Sequence, residues 1–435
     1  MTTAFPPEHG AASGPGRGRR RPARAAVFVA LVVLAAAVGL GFVLTSGPTA
    51  PTASSSRPPD THAGAQKGVG GATTTAPVVE PSSGGQSWAP GSSGLAPSIP
   101  PSAVPDQSLD ALFSSQLGPG WVGGDATYST KLPDGRESFV FSDTLIGTAK
   151  PDGTATITGM ANSSELVGVL PQLATDYVGS YDAPSSLIPD TNPKPAEWNA
   201  FATYTQGQDQ MIFLSEFSGP NGILTLSYTG RSAIAVMSLQ GGHMPTLNSI
   251  VSLPADLTTE WGQATVQSGG FLFVYGTTRD PEHQTVEGIK VARVPVVDSL
   301  DVAAWQYWNG SNWVPDETSA VVVPTVNLLT GVTPNPDGTG YIGVSIPDGV
   351  FNDTTVDLSY AEAPQGPWTA PAPVYTIPDL RLYPGEIAYS PTFHPELSPN
   401  ASDLVVSYDV DTTVGFPVLL KNVHSYQPRF LLVSG

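Results

Sequence analysis

Two aspartates, Asp125 and Asp143, bracket the stretch WVGGDATYSTKLPDGRESFVFSDT at residues 121–144. Each stands at the outer end of a run rich in β-formers, and Leu132-Pro133-Asp134-Gly135-Arg136 joins the two runs. Proline suits the second position of a type I turn, and Gly135 suits the left-handed position that follows. The result is a three-residue hairpin loop with a bulge. That register sets Lys131 against Glu137, an opposite-charge pair that supports it, Tyr128 against Val140, and Asp125 against Asp143. Like charges directly opposed across a hairpin, with Cβ atoms about 5 Å apart, destabilise it. They also drive their two pKa values apart, so one carboxyl keeps a proton while the other serves as base or nucleophile. Cleavage of a glycosidic bond needs such a pair. Two other readings stand beside this one. Asp125 follows a Gly-Gly turn and Asp143 ends a strand, both places where Asp is common. Carboxylates with backbone oxygens also bind hard cations, so a structural calcium ion is the one cofactor these residues suggest.

The elements that would position the pair are strands. Runs such as ESFVF, QMIFLSEF, GILTLSYTG, FLFVYGTT, AVVVPTV and DLVVSYDV are short, β-branched and aromatic, and separated by turn residues. Helical periodicity is absent beyond a turn near residues 108–117, which makes the chain all-β. GDATYS…SFVFSDT at 124–144 is echoed by GQATVQ…LFVYGTT at 262–278. That separation is two units of the roughly 65 residues that each of five repeats would occupy, and meanders of this size are propeller blades. A five-bladed β-propeller is therefore expected, with a pair of two-sheet sandwiches as the alternative. In a propeller the first strand of each blade starts at the ligand-binding face and the second returns to it, so both aspartates belong at the rim of a central pocket. The echo places Gln263 where the first repeat has Asp125, and Thr277 where it has Asp143; the architecture does not require acids there.

By the same topology the other blade entries offer rim residues: Trp198 and Asn199, Glu260 and Trp261 with Gln263, Glu317, and then Tyr389, His394 and Glu396. Aromatic rings beside Asn, Glu and His suit the apolar faces and hydroxyls of a sugar. Each tryptophan can equally be a packing residue, Glu260 a solvated turn carboxylate, and His394 a core histidine. Trp305, Trp308, Trp313 and Trp368 read as packing residues. No Gly-x-Ser-x-Gly elbow, His-Glu-x-x-His motif or phosphate-binding loop occurs.

Around this region the composition changes sharply. Residues 1–24 end in a cluster of Arg17, Arg19, Arg20, Arg21 and Arg24, and the uncharged apolar run from Ala25 to Thr45 is long enough to span a bilayer. It is longer than a signal-peptide core, and no small-x-small cleavage site follows. The arginines place the N-terminus in the cytoplasm and everything beyond residue 45 outside the cell membrane. Residues 46–106, rich in Pro, Ser, Thr, Gly and Ala, read as a disordered linker reaching on the order of 40 Å, and residues 107–435 as the folded domain. That domain carries 33 of the 37 Asp and Glu but 11 of the 18 Lys and Arg, which argues against nucleic-acid binding. The chain has no cysteine, which excludes disulfides and thiolate chemistry. No protein partner is suggested.

The blocks GWVGGDATYSTKLPDGRESFVFSDTLIG, WGQATVQSGGFLFVYGT, VARVP…AWQYWNGSNW, APQGPW and FHPELS…LVVSYDV…YQPRF occur in that order. In this the chain resembles an actinobacterial family of five-bladed-propeller glycoside hydrolases first catalogued as a domain of unknown function, which includes endo-D-arabinanases. The resemblance covers most of residues 115–432 and is weak over 180–245. It departs at FSDT, where FGDT is frequent, and at SYDVD, where SYNVN is. It implies a membrane-anchored glycoside hydrolase acting on furanosidic cell-wall polysaccharide, D-arabinan, with Asp125 and Asp143 catalytic. The alternative is a non-catalytic glycan-binding or scaffolding propeller.

Overall fold

The computed structural model describes residues 101–189, 196–218, 227–254, 256–282, 285–346, 354–378, 385–412 and 416–434. The basic tail, the apolar run and the linker as far as residue 100 lie outside the described residues. Among the described residues no helix is long and apolar enough to cross a membrane.

The described chain is all-β, and short meanders dominate it. The first sheet runs through Tyr128–Lys131, Glu137–Phe141, Ser164–Val169 and Gln172–Asp176, flanked by a side sheet of Gly120–Gly124, Thr144–Ala149 and Ala155–Ala161. The second holds Ala196–Gln206, Asp209–Ser218, Ser227–Ser238 and Thr246–Ser252. The third holds Thr259–Ser268, Phe271–Arg279 and Val286–Pro295, then the short Gln306–Trp308 and Trp313–Val314. The fourth holds Gly331–Pro334, Tyr341–Ser345, Thr355–Ala361 and Ala372–Thr376. The fifth takes Glu386–Phe393, Asp403–Thr412 and Arg429–Ser434, and its outermost strand, Ser102–Pro105, comes from the start of the described chain.

The leading strands of successive sheets lie side by side in chain order. A central cavity of about 240 Å³ is lined from all five of them, by Tyr128, Thr203, Thr265, Thr333 and Phe393 among others. Hydrogen bonds from Thr127 to Asp409 and from Tyr389 to Asp125 join the fifth sheet to the first. The arrangement is propeller-like. Between sheets the faces are apolar: Trp198, Ile212 and Leu214 pack with Val140 of the first sheet, and Phe201, Phe213 and Trp261 form a second cluster.

The strand Ser102–Pro105 corrects the boundary expected at residue 107. Its partners run from Ser102↔Ser434 to Pro105↔Leu431, so one end of the chain completes the sheet begun by the other. Ser-Ala-Val-Pro has no strand pattern of its own; the free edge of Arg429–Ser434 supplies its hydrogen-bond partners. The helix Gln107–Ser114 follows, capped by Asp106, whose carboxylate accepts the Ser108 and Leu109 N–H groups at 3.0 and 3.1 Å. It drives the fully buried Phe113 between Phe139 and Phe430, with ring centroids 5.1 and 5.0 Å away.

Candidate active site

The hairpin register is the one expected from its turn. Lys131 pairs with Glu137 and Tyr128 with Val140, and the Lys131–Glu137 ion pair measures 3.0 Å. Beyond Tyr128 the chain passes into the side sheet through Ala126, whose φ of 54° lies in the left-handed region that costs a residue with a side chain about 1 kcal/mol or more. Pairing persists across this step: Asp125 N–H donates to the Asp143 carbonyl at 3.2 Å, and Ser142 N–H donates to the Asp125 carbonyl at 2.9 Å. Asp125 and Asp143 therefore face each other, as the register requires. They do not stand at an exposed rim: Asp125 is 0% and Asp143 1% exposed. The side sheet and Tyr426 cover them.

Asp125 Oδ2 accepts hydrogen bonds from the hydroxyls of Tyr389 and Tyr426, each at 2.9 Å. Burial, then the nearby Asp143 and Asp409 carboxylates, holds the Asp125 carboxyl well above its ordinary range, while the two tyrosines pull the other way. Asp143 is also held well above that range, by burial and then by Glu197 and Asp411. Asp409 is pushed up to about 7 by burial, although the Thr127 hydroxyl at 2.6 Å and N–H at 3.3 Å favour its ionised form. Tyr389 and Tyr426 are driven well above the ordinary tyrosine value, first by burial and next by Asp125, so both keep the protons they donate. The cluster sets Asp125 and Asp143, both held above the ordinary carboxylate range, beside Asp409 at about 7, and general acid–base work draws on carboxyls tuned in this way.

The third sheet shows which position matches Asp125. Glu260 lies opposite Thr277, as Asp125 lies opposite Asp143, and Gly262 and Gln263 form a bulge in which Gly262 takes a φ of 102°. The echo in sequence had put Gln263 in this place, because aligning on the glycine ignores the bulge. Gln263 serves Glu260 instead, donating its amide to Oε1, while Arg279 Nε holds Oε2 at 2.8 Å in a fully buried ion pair. In the second and fifth sheets the matching partners are Trp198↔Glu216 and Tyr389↔Asp409.

Other expected rim residues are not brought together. Trp198 and Trp261 are each 1% exposed and belong to inter-sheet clusters, so they pack rather than face a ligand. The Arg231 guanidinium lies 5.2 Å from the Trp198 ring, and Trp261 Nε1 donates to Glu317. His394 and Glu396 lie at the opposite end of the ring. Four residues of strand at about 3.3 Å each separate Tyr389 from Phe393, and Phe393 and Glu396 line the central cavity. His394 is fully buried between Phe139 and Phe430, hydrogen-bonded to Ser129 and Ser407, and burial pushes its pKa down to about 3. It is a neutral core histidine. Glu396, hydrogen-bonded by Ser129, is pushed up to about 7 by burial.

Asn199 does lie at the acid-bearing end. Both atoms of its fully buried amide lack a hydrogen-bond partner, as do Asp125 Oδ1, Asp143 Oδ2, Ser215 Oγ, Thr277 Oγ1 and Thr278 Oγ1. All belong to the end of the ring where the leading strands begin and the second strands finish. Orphaned buried polar atoms each cost about 1–3 kcal/mol; others lie elsewhere in the ring, at Glu165, Asp176, Tyr204, Gln210 and Trp368 among them. Among the described residues no group of three or more His, Asp or Glu side chains could hold a metal ion. Sequence reasoning passed over Asp409, Asp411 and Tyr426. The available signal was the alternation of acids with apolar residues in Tyr408-Asp409-Val410-Asp411 within a strand that is otherwise core.

A sequence profile described as a domain of unknown function, DUF5005, matches residues 106–435. The chain belongs to the DUF5005 family. No curated protein matches it. Among solved structures, a protein from Bacteroides ovatus ATCC 8483 described as a "putative hydrolase" shares the fold, with a TM-score of 0.60 at 18% identity over 76% of this chain and 90% of that one. The GH43_1 enzyme from Xanthomonas citri complexed with xylose superposes with a TM-score of 0.41 at 11% identity, over 74% of this chain and 92% of that one. The exo-β-1,3-galactanase from Phanerochaete chrysosporium gives 0.40 at 10% identity, over 73% of this chain and 63% of that one.

Proposed function

We propose that this DUF5005 protein is a glycoside hydrolase built as a five-bladed β-propeller, with Asp125 and Asp143 as its reacting pair. The observation that carries the reading is the opposition of these two buried carboxyls, both raised in pKa, with Asp125 held by the Tyr389 and Tyr426 hydroxyls. Asp125, with two tyrosyl donors on one oxygen, is the better placed to be ionised and act as base or nucleophile; Asp143, surrounded by Glu197 and Asp411, is the better proton donor. Asn199 and Thr277 would hydrogen-bond sugar hydroxyls. The fold shared with the Bacteroides ovatus protein supports the class. The resemblance at GDATYS…FVFSDT and LVVSYDV supports furanosidic cell-wall polysaccharide, D-arabinan, as substrate. The basic cluster and apolar run support display from the cell membrane by residues 25–45, with the propeller outside.

Incubating the protein with arabinogalactan and analysing released fragments tests the reading: arabinose oligosaccharides are expected. The complete burial of both acids favours one rival, a non-catalytic glycan-binding propeller, and binding of arabinan oligosaccharides without any cleavage would establish it. For the anchor, a reporter fused after Gly435 should be exported and stay with the membrane fraction; quantitative release into the medium would make residues 25–45 a signal peptide.

A further inference from the structure

A second group of orphaned oxygens lies away from the acid cluster, between the first and second sheets. Glu165 is fully buried, and neither of its carboxylate oxygens has a hydrogen-bond partner. In register it stands directly opposite Asp176, whose Oδ2 is also buried without a partner. Two carboxylates paired across strands repel, and a buried carboxylate without a partner costs several kcal/mol unless something neutralises it. From the facing second sheet comes Gln210, fully buried, its Nε2 donating to Ser138 Oγ at 2.9 Å and its Oε1 left without a partner. Burial and then Asp176 push the Glu165 pKa up to about 8, against the Ser138 and Gln210 side chains, which lean toward hydrogen bonds with it, and the positive charge of Arg136. In register Glu165 lies between Val140 and Asp176, and Ser138 and Gln210 stand two residues from Val140 and Ile212, so all four share the face where Val140 packs against Ile212.

We propose that Glu165, Asp176, Gln210 and Ser138 form a divalent-cation site, taking a hard ion of the calcium type, that ties the first sheet to the second. Glu165 offers two oxygens, and Asp176, Gln210 and Ser138 offer one each. Calcium accepts six to eight oxygens in flexible geometry, whereas magnesium demands a near-ideal octahedron. Asp176 is half-buried, so water can complete the shell from its side. The two carboxylates match the charge of one divalent ion, and the orphaned amide oxygen is the ligand type that accompanies carboxylates in such sites. The site shares no residue with the acid pair at the ring's end, so it does not rest on the proposed hydrolase activity.

The test uses the full-length protein, stripped with chelator and titrated with CaCl₂ at pH 7.5 while thermal unfolding and calorimetric binding are recorded. One equivalent should bind, and calcium at about 100 times its dissociation constant should raise Tm by roughly 5 °C. Glu165→Gln and Asp176→Asn should each weaken binding more than about tenfold and abolish the rise in Tm, whereas Asp125→Asn should bind calcium like the parent. Glu165→Gln removes a buried charge without changing shape, and Asp176→Asn changes a half-buried residue, so both report on a folded protein. A parent that binds no calcium and whose Tm is indifferent to it at millimolar concentration would overturn the proposal. Calcium binding that survives both substitutions would overturn it as well.

Discussion

Replacing Asp409 with Asn should reverse its effect on stability between pH 4 and pH 8. The Asp409 carboxyl is 1% exposed and is pushed from an ordinary value near 3.8 up to about 7. A raised pKa means that the folded state binds more protons than the unfolded state between those values. Its stabilising contribution is complete below pH 3.8 and is lost as pH rises through 7. Each tenfold gain in proton affinity is worth about 1.4 kcal/mol, so ionising Asp409 in place costs the fold up to about 4 kcal/mol by pH 8. Asparagine cannot ionise and escapes that loss. Against this, Thr127 donates both its hydroxyl, at 2.6 Å, and its N–H, at 3.3 Å, to Asp409; asparagine keeps one acceptor and forfeits the other bond, about 1 kcal/mol. Asp409→Asn should therefore be about 1 kcal/mol less stable than the parent at pH 4 and about 2–3 kcal/mol more stable at pH 8. Guanidinium unfolding of both proteins at half-unit pH steps measures the difference; Asn also relieves Asp125 of the Asp409 charge, which adds to the gain at high pH. A difference that does not change with pH, or a variant less stable at pH 8, would refute the assignment of Asp409 as a carboxyl strained by burial.

Three further outcomes are expected. Tyr389→Phe and Tyr426→Phe each remove one donor from Asp125 Oδ2, a charge-assisted bond worth about 1.5–3 kcal/mol. Each should move the Asp125 pKa further up and carry the matching limb of the pH–rate profile upward; superimposable profiles would contradict the role given to these hydroxyls. Starting the chain at residue 107 instead of 102 should lower stability by about 1–3 kcal/mol, because the edge of Arg429–Ser434 loses its partner strand; identical melting of the two chains would show that the strand contributes nothing. Arg279→Met should cost about 3–5 kcal/mol by leaving Glu260 buried and unpaired, with much of the loss restored by adding Glu260→Gln, as chemical denaturation of the single and double variants will measure.

What could be read in the sequence follows from how local each determinant is. The hairpin register was legible because Pro133-Asp134-Gly135 fixes the turn and Lys131–Glu137 confirms it within six residues. The opposition of Asp125 and Asp143 followed by counting outward. The place of Glu260 was not legible, because the bulge at Gly262 and Gln263 breaks a count made along the chain. Trp198 and Trp261 were ambiguous because a strand entry carries both channel-facing and sheet-facing side chains, and inter-sheet packing takes both rings here. Blade-entry topology predicts His394 and Glu396 at the rim with Tyr389, yet a strand that crosses the ring delivers its two ends to opposite sides. The strand Ser102–Pro105 has no local signature at all; it exists because the last sheet offers it an edge.

The central claim is that Asp125 and Asp143 are the reacting pair, and the most direct measurement is turnover of a cleaved arabinan substrate by Asp125→Asn and Asp143→Asn, alongside substrate binding and thermal unfolding. Each substitution should lower turnover by about 10²-fold or more, leave oligosaccharide binding in place, and hold or raise Tm, since each replaces a carboxyl that burial disfavours with a neutral amide. Near-parental turnover in both variants, with the fold intact, would make the pair structural and contradict the account.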